Sequence, residues 1–323
     1  MSELLNVQNL SVNFFTRYGI VHAIEGIEFI LKKGKILGLV GESGCGKSVT
    51  ALSVIGLIQA PQGRIVSGTI VFDGTDLTAM DEKKIRKIRG KDISMIFQEP
   101  MTSLNPVFKI GDQIGEIYKL HYKMNKKEVK DRTIEMLRLV GIGSPEHRVN
   151  DYPHSLSGGM KQRVMIAMAL AGSPKLIIAD EPTTALDVTM QVQILDLLLM
   201  LKENRDMSIL LITHDLGIVR NVVDWLCVMY AGRIVEYGNV DKVFANPLHP
   251  YTKGLYDSIP LKDSHKTKFP RLRTIGGNVP GPFEMPEGCR FLPRCSYHTD
   301  MCIQEPMMIK VEDERLVRCW LFS

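Results

Sequence analysis

No run of eighteen or more apolar residues occurs in the 323-residue chain, so nothing in it reads as a membrane-spanning helix. A secretory leader is also missing, because MSELLNVQNLSVNFF lacks a basic start followed by a long apolar run. The chain is therefore expected in the cytosol. Strong charge is absent too: 40 Lys+Arg against 36 Asp+Glu leave a net +4. That is too weak a balance to argue for nucleic acid, though it suits a phosphate site or contact with anionic lipid. There is no internal repeat and no low-complexity tract. Cysteine is scarce, with six residues, yet four of them lie beyond residue 288, while Cys45 and Cys227 stand apart. Cytosolic thiols stay reduced, so such a cluster points to metal ligation rather than to disulfides. What remains is 45% hydrophobic and 24% charged, an ordinary globular composition with room for one large domain and an appendage, or two medium domains.

The pattern along the chain is α/β. LLNVQNLSVNFF, HAIEGIEFILKKG and KILGLV alternate as strands, SGTIVFDG (67–74) reads as a strand ending in an Asp-Gly turn, and ISMIF (93–97) as a short buried strand. From about 108 to 165 the three-and-four spacing of KKEVKDRTIEMLRLVG predicts helices. KLIIAD and SILLIT are uninterrupted apolar runs flanking the helical QVQILDLLLMLKEN, which predicts parallel strands covered by helices. Beyond Tyr237 the pattern weakens. LHPYTKGLYDSI predicts one short helix, and 260–288 is a Pro/Gly-rich connection. Lys262, Lys266, Lys268, Arg271 and Arg273 form a basic run read as a solvated linker face.

GESGCGKS fits the phosphate-binding pattern G-x-x-x-x-G-K-[ST], preceded by an apolar strand and followed by a helix. Gly41, Glu42, Ser43, Gly44, Cys45 and Gly46 would curl the backbone so that N–H groups face phosphate oxygens, and Val49 continues into the helix. Lys47 would meet the terminal phosphates and the Ser48 hydroxyl would ligate Mg²⁺. Asp180 and Glu181, at the end of LIIADEP, supply an outer-sphere carboxylate for Mg²⁺ and a group to accept a proton from attacking water. The alternative, two acids capping the next helix, loses weight once the phosphate loop is present.

LSGGMKQR (156–163), just upstream of LIIADEP, resembles the signature sequence of ABC-type ATPases. Gln98 in IFQEP resembles the family's Q-loop glutamine, which also reaches Mg²⁺. TALD, ending in Asp187, resembles the D-loop, and His214 in LITHD the switch histidine. Phe14 stands where an aromatic residue stacks on adenine, with Phe15 and Tyr18 as alternatives. The resemblance covers residues 4–240. It implies a P-loop NTPase of ABC type: a mostly parallel sheet, an antiparallel β subdomain, an inserted helical subdomain (about 98–165) and a small cysteine-containing C-terminal extension. Domain boundaries follow at 1–240 for the nucleotide-binding domain and 241–323 for the extension. The family architecture also implies a head-to-tail sandwich, in which Ser157, Gly158 and Gly159 face the γ-phosphate held by a second, homologous ATPase subunit.

NPLHPYTKGL (246–255), GNVPGP (277–282) and GCRFLPRC (288–295) resemble the tails of oligopeptide and dipeptide importer ATPases, and nickel importers share much of this. The resemblance implies a peripheral subunit on the cytoplasmic membrane face, paired with a related or identical ATPase and two membrane-spanning permeases. A binding protein outside the cell would feed the complex, and nucleic acid has no part in it. A soluble ABC ATPase acting on nucleic acid is the rival, but it would call for a second ATPase unit or long coiled coils in the same chain. The spacing Cys289-x5-Cys295-x6-Cys302-x16-Cys319 offers four thiolates, enough for a [4Fe–4S] cluster or for zinc. Zinc sites favour closer pairs, so the cluster is the preferred expectation, with zinc or unliganded thiols as the other readings. His298 is read as a surface residue and Cys227 as core.

Overall fold

The computed structural model describes residues 2–99, 103–184, 186–259 and 274–323; the basic run Lys262–Arg273 lies outside them. Its strands are β1 (Glu3–Thr16), β2 (Gly19–Lys32), β3 (Ile36–Val40), β4 (Gly63–Phe72), β5 (Thr75–Asp76), β6 (Ile93–Ile96), β7 (Leu176–Asp180), β8 (Ser208–Thr213), β9 (Trp225–Tyr230), β10 (Arg233–Asn239), β11 (Ile309–Glu312) and β12 (Arg315–Val317). Its helices are α1 (Lys47–Val54), α2 (Glu82–Ile88), α3 (Ile110–Ile117), α4 (Lys126–Leu139), α5 (Pro145–Arg148), α6 (Gly158–Leu170), α7 (Val188–Arg205), α8 (Leu216–Val222), α9 (Val240–Ala245) and α10 (Pro250–Asp257). Among the described residues no helix is long and apolar enough to cross a membrane. The chain forms two compact units. One comprises Met1–Leu4, Leu31–Lys35 and Gly74–Ile212, the other Leu5–Ile30, Ile36–Asp73 and Thr213–Ser323.

In the first unit β6, β7 and β8 are parallel, with Ile93 opposite Leu176 and Leu176 opposite Ser208. Every residue of β7 and β8 is buried, which is why both segments read as unbroken apolar runs rather than as alternation. The helical block follows β6. Its longest early helix, α4, begins with a capping box, in which Asn125 accepts from the Glu128 N–H and the Glu128 carboxylate accepts from the Asn125 N–H. α3 ends in a π-helical turn over Tyr118–Tyr122, stopped by Lys123 in the left-handed region.

In the second unit β1 pairs antiparallel with β4, from Leu5 opposite Phe72 to Phe14 opposite Gly63, and β2 lies beside β1. A separate run of strands, in the order β11–β12–β10–β9–β3, has β3 and β9 parallel and the remaining pairs antiparallel. The C-terminal segment joins this run of strands. Its hairpin adds two strands to β10, and Val317 and Phe291 are buried. Charged side chains fix it further. Arg315 pairs with Glu236 at 2.9 Å with both side chains buried, and Glu236 also accepts the backbone N–H groups of Leu248 and His249. Arg290 bonds the Ala231 carbonyl and the Glu25 carboxylate, while Arg233 and Arg318 approach Glu305.

Candidate functional site: a phosphate loop and an acidic strand end

In the second unit the wholly buried β3 delivers the chain into Gly41–Ser48, and α1 leaves from it. Two glycines are required by crowding. A Cβ on Gly41 would overlap the Met229 carbonyl oxygen on β9. Gly46 has φ +106°, and a Cβ there would strike Ile24, the Met229 methyl and the Ala23 carbonyl. The Lys47 ammonium is buried against the loop, donating to the Gly41 carbonyl at 2.8 Å and the Glu42 carbonyl at 3.0 Å. Ser43, Gly44 and Ser48 are exposed at the mouth, and Val49 is half-buried behind it. No acidic side chain lies in the first turn of α1, so the positive end of that helix is unopposed by its own residues. Cys45 is buried beneath the loop, where desolvation raises its thiol pKa against the opposing pull of Lys47.

Phe14 is half-buried with its ring against Gly63, so part of it serves the β1–β4 pairing. Phe15 and Tyr18 are more exposed, each with an arginine (Arg64 and Arg17) over its ring. His214 is exposed, directly after β8 and one residue before Asp215, which caps α8 by accepting from the N–H groups of Gly217 and Ile218.

Two further contacts reach the phosphate loop from residues of the C-terminal motifs. The Tyr251 hydroxyl accepts from the Glu42 N–H at 2.9 Å. Arg294 grips the Glu42 carboxylate with both terminal nitrogens, at 2.7 and 3.0 Å. NPLHPYTKGL and FLPRC contain these residues, but nothing local in either motif says what they touch.

In the first unit Asp180 ends β7 and is 3% exposed. Glu181 follows with φ +46°, a left-handed conformation uncommon for a residue with a side chain. Its N–H donates to the Ile212 carbonyl, and its carboxylate accepts from Gln98 Nε2 and Thr184 Oγ1, each at 2.9 Å. Gln98 and Glu181, eighty-three residues apart, are thereby brought together. Gln162, within LSGGMKQR, is buried and donates to the Pro182 carbonyl, tying α6 to the acidic strand end. Ser157 caps α6 by accepting from the Met160 N–H at 3.3 Å; Ser157 and Gly158 are exposed and Gly159 half-buried. Asp187 accepts from the Met190 N–H at 2.9 Å and is the N-cap of α7. Ala185, within TALD, lies outside the described residues. Asp180 and Gln98 in this unit, and Ser48 in the other, each carry an oxygen donor of the type that Mg²⁺ takes.

The four C-terminal cysteines are free thiols, with Cys302 and Cys319 buried and Cys289 and Cys295 partly so. Burial pushes Cys289 up to about 11, and the charges of Cys302, Glu305 and Cys319 add to it. Burial likewise raises Cys295 and Cys319, each of which also feels Cys302. No three His, Cys, Asp or Glu side chains among the described residues are gathered as a group able to hold a metal ion. His298 is exposed, with its ring on the Cys295 carbonyl at 2.8 Å.

A family model described as "ABC transporter" matches residues 24–184, and one described as "Oligopeptide/dipeptide transporter, C-terminal region" matches 235–302. The chain is similar to the oligopeptide transport ATP-binding protein AppD of Bacillus subtilis (strain 168), 50% identical over 324 residues that span 100% of this chain and 98% of AppD. It is 51% identical to OppD of the same organism, spanning 99% of this chain and 89% of OppD. The dipeptide transport ATP-binding protein DppD of Haemophilus influenzae is 49% identical, with 98% and 94% spanned. Among solved structures, the dimeric post-hydrolysis state of the ATP-binding cassette MJ0796 bound to ADP and Pi aligns with a TM-score of 0.66 at 27% identity, covering 73% of this chain and 99% of that one. CbiO1 from Clostridium perfringens, part of the ABC transporter complex CbiONQ, aligns with a TM-score of 0.64 at 30% identity, covering 76% and 92%.

Proposed function

Since the chain belongs to the ABC transporter ATP-binding proteins of the oligopeptide and dipeptide class, we propose that it binds and hydrolyses ATP to drive import of short peptides through a membrane complex. One observation carries the cargo class: the likeness continues through the C-terminal extension. An ATPase cassette alone says nothing of what is carried, and although nickel importers share much of the extension, the relatives alike through both parts are named for oligopeptide and dipeptide transport.

In this reading the residues from Gly41 to Val49 hold the phosphates of ATP, with Lys47 on the terminal ones and Phe14 under the adenine. Ser48, Asp180 and Gln98 hold Mg²⁺, which would neutralise charge on the transferring phosphoryl group. Glu181 accepts a proton from the attacking water, kept in position by Thr184 and Gln98, and His214 faces the γ-phosphate. Ser157, Gly158, Gly159 and Asp187 serve the nucleotide of a second ATPase subunit, a homologue or a second copy. Two permease subunits complete the complex on the cytoplasmic membrane face, and an outer binding protein delivers the peptide. Domain boundaries at 1–240 and 241–323 belong to the same reading.

The four thiols are assigned to a [4Fe–4S] cluster. Their separation by five, six and sixteen residues fits the close pairs of structural zinc poorly, while their number meets the four thiolates that a cubane takes. Iron, acid-labile sulfide and zinc counted on protein purified without oxygen test this. About four irons and four sulfides per chain are expected, and zinc or no metal would remove the cluster.

Glu181→Gln tests the ATPase reading in vesicles containing the permeases. ATP binding should persist while turnover and peptide uptake fall about 100-fold or more. An unchanged ATPase rate would overturn the role of Glu181.

A further inference from the structure

We propose that Arg294 of the C-terminal extension is a positioning residue for the phosphate loop, acting through Glu42 to set the affinity of this subunit for ATP. The inference rests on the loop being the nucleotide site.

Glu42, second in the loop, has its whole polar surface engaged. Its N–H donates to the Tyr251 hydroxyl, and its carbonyl accepts from Lys47 and from the Cys45 N–H at 3.3 Å. Its two carboxylate oxygens each take one nitrogen of Arg294. The Arg294 side chain is 5% exposed and that of Glu42 28%, so the bidentate pair is covered on the guanidinium side and partly open at the carboxylate. Its remaining donors are used as well. Nε reaches the Gly276 carbonyl at 2.9 Å, and the terminal nitrogens also approach Tyr230 Oη and the Ile275 carbonyl at 3.4 and 3.5 Å.

Aromatic rings fix the guanidinium from behind. Tyr230 on β9, Tyr251 on α10 and Phe291 pack mutually, with centroids 4.7, 5.1 and 5.5 Å apart, and Arg294 lies over Tyr230 and Phe291. The extension thus supplies the charge that holds the Glu42 side chain, two of the three rings, and the hydroxyl that holds the Glu42 N–H. Lys47 is tethered to the Glu42 carbonyl and to the carbonyl of Gly41, whose peptide carries the Glu42 N–H. Tilting that peptide would redirect both the Lys47 ammonium and the loop N–H groups expected to meet phosphate. A salt bridge that served only to staple the extension could have ended on any acidic side chain of the unit. This one ends inside the loop.

The test is ATP affinity of the purified full-length chain, followed by fluorescence of a bound nucleotide analogue, for wild type, Arg294→Ala, Arg294→Lys, Glu42→Gln and the Arg294→Ala/Glu42→Gln double variant. Arg294→Ala and Glu42→Gln should each raise the Kd about tenfold, or about 1.4 kcal/mol. The double variant should bind no more weakly than either single one, since both remove the same link. Arg294→Lys, keeping charge but not the fork, should fall between. In the assembled transporter Arg294→Lys should raise the KM for ATP and keep kcat, a split that loss of folded protein would not produce. A Kd within twofold of wild type for both Glu42→Gln and Arg294→Lys, or additive effects in the double variant, would overturn the proposal even if Arg294→Ala failed to fold. A wild-type chain that takes up no ATP would remove the nucleotide-site reading itself, and this proposal with it.

Discussion

At the scale of single residues, His249 shows how a buried ring can set an acid limit on stability. It is 2% exposed and is the N-cap of α10, with Nδ1 accepting from the Tyr251 N–H at 3.0 Å. Burial, reinforced by Lys253, pushes its pKa down to about 3 from 6.5. Only the unfolded chain takes up this proton between those values. The contribution of His249 to stability is therefore complete above pH 6.5 and is lost as pH falls towards 3. By pH 5 the loss amounts to about 2 kcal/mol. His249→Asn keeps a capping acceptor but cannot be protonated. Urea midpoints measured at pH 8 and pH 5 should differ less in His249→Asn than in wild type, and an equal difference would exclude His249 as the source. The same ring governs more than itself, because Tyr251, whose N–H it caps, carries the hydroxyl that meets the phosphate loop.

At the scale of elements, Asp187 separates two roles that share one side chain. The sequence places it in a D-loop, whereas the structure makes it the cap of the eighteen-residue helix α7. Asp187→Asn retains the capping oxygen and should leave thermal stability unchanged, while Asp187→Ala should cost about 1 kcal/mol. If Asp187→Asn also keeps full turnover in the assembled transporter, capping accounts for the residue. A loss of turnover with unchanged melting would place it with the nucleotide. The contrast reflects what elements reveal before folding. β3, β7 and β8 were legible because buried parallel strands leave unbroken apolar runs, and the phosphate loop because its backbone demands glycine at fixed offsets. The β11–β12 hairpin is not legible because four- and three-residue strands carry too little alternation. The Arg294–Glu42 pair is not legible for another reason: 252 positions separate its members, and an ion pair imposes no periodicity.

At the scale of the whole molecule, the signature stretch has meaning only if a second subunit approaches it. Ser157 and Gly158 face solvent at the positive end of α6, and the cap leaves the Ser157 hydroxyl proton able to donate. The glycines differ in a way that allows a clean experiment. A Cβ on Gly159 would overlap the terminal methyl of Met190, which would have to swing aside. A Cβ on Gly158 meets nothing within 4 Å. Gly158→Asp should therefore fold with an unchanged melting temperature and bind ATP at its own phosphate loop within about twofold of wild type. Across a head-to-tail interface, however, the new carboxylate would confront the γ-phosphate held by the other subunit. Like charges at that distance repel in a setting of low dielectric, and a lost donor set at a phosphoryl site lowers turnover about 100- to 1000-fold. ATPase activity of the transporter should collapse while nucleotide affinity of the isolated variant stays intact. Full activity of Gly158→Asp would mean that this face meets no nucleotide, and that the chain hydrolyses ATP without a partner closing over it.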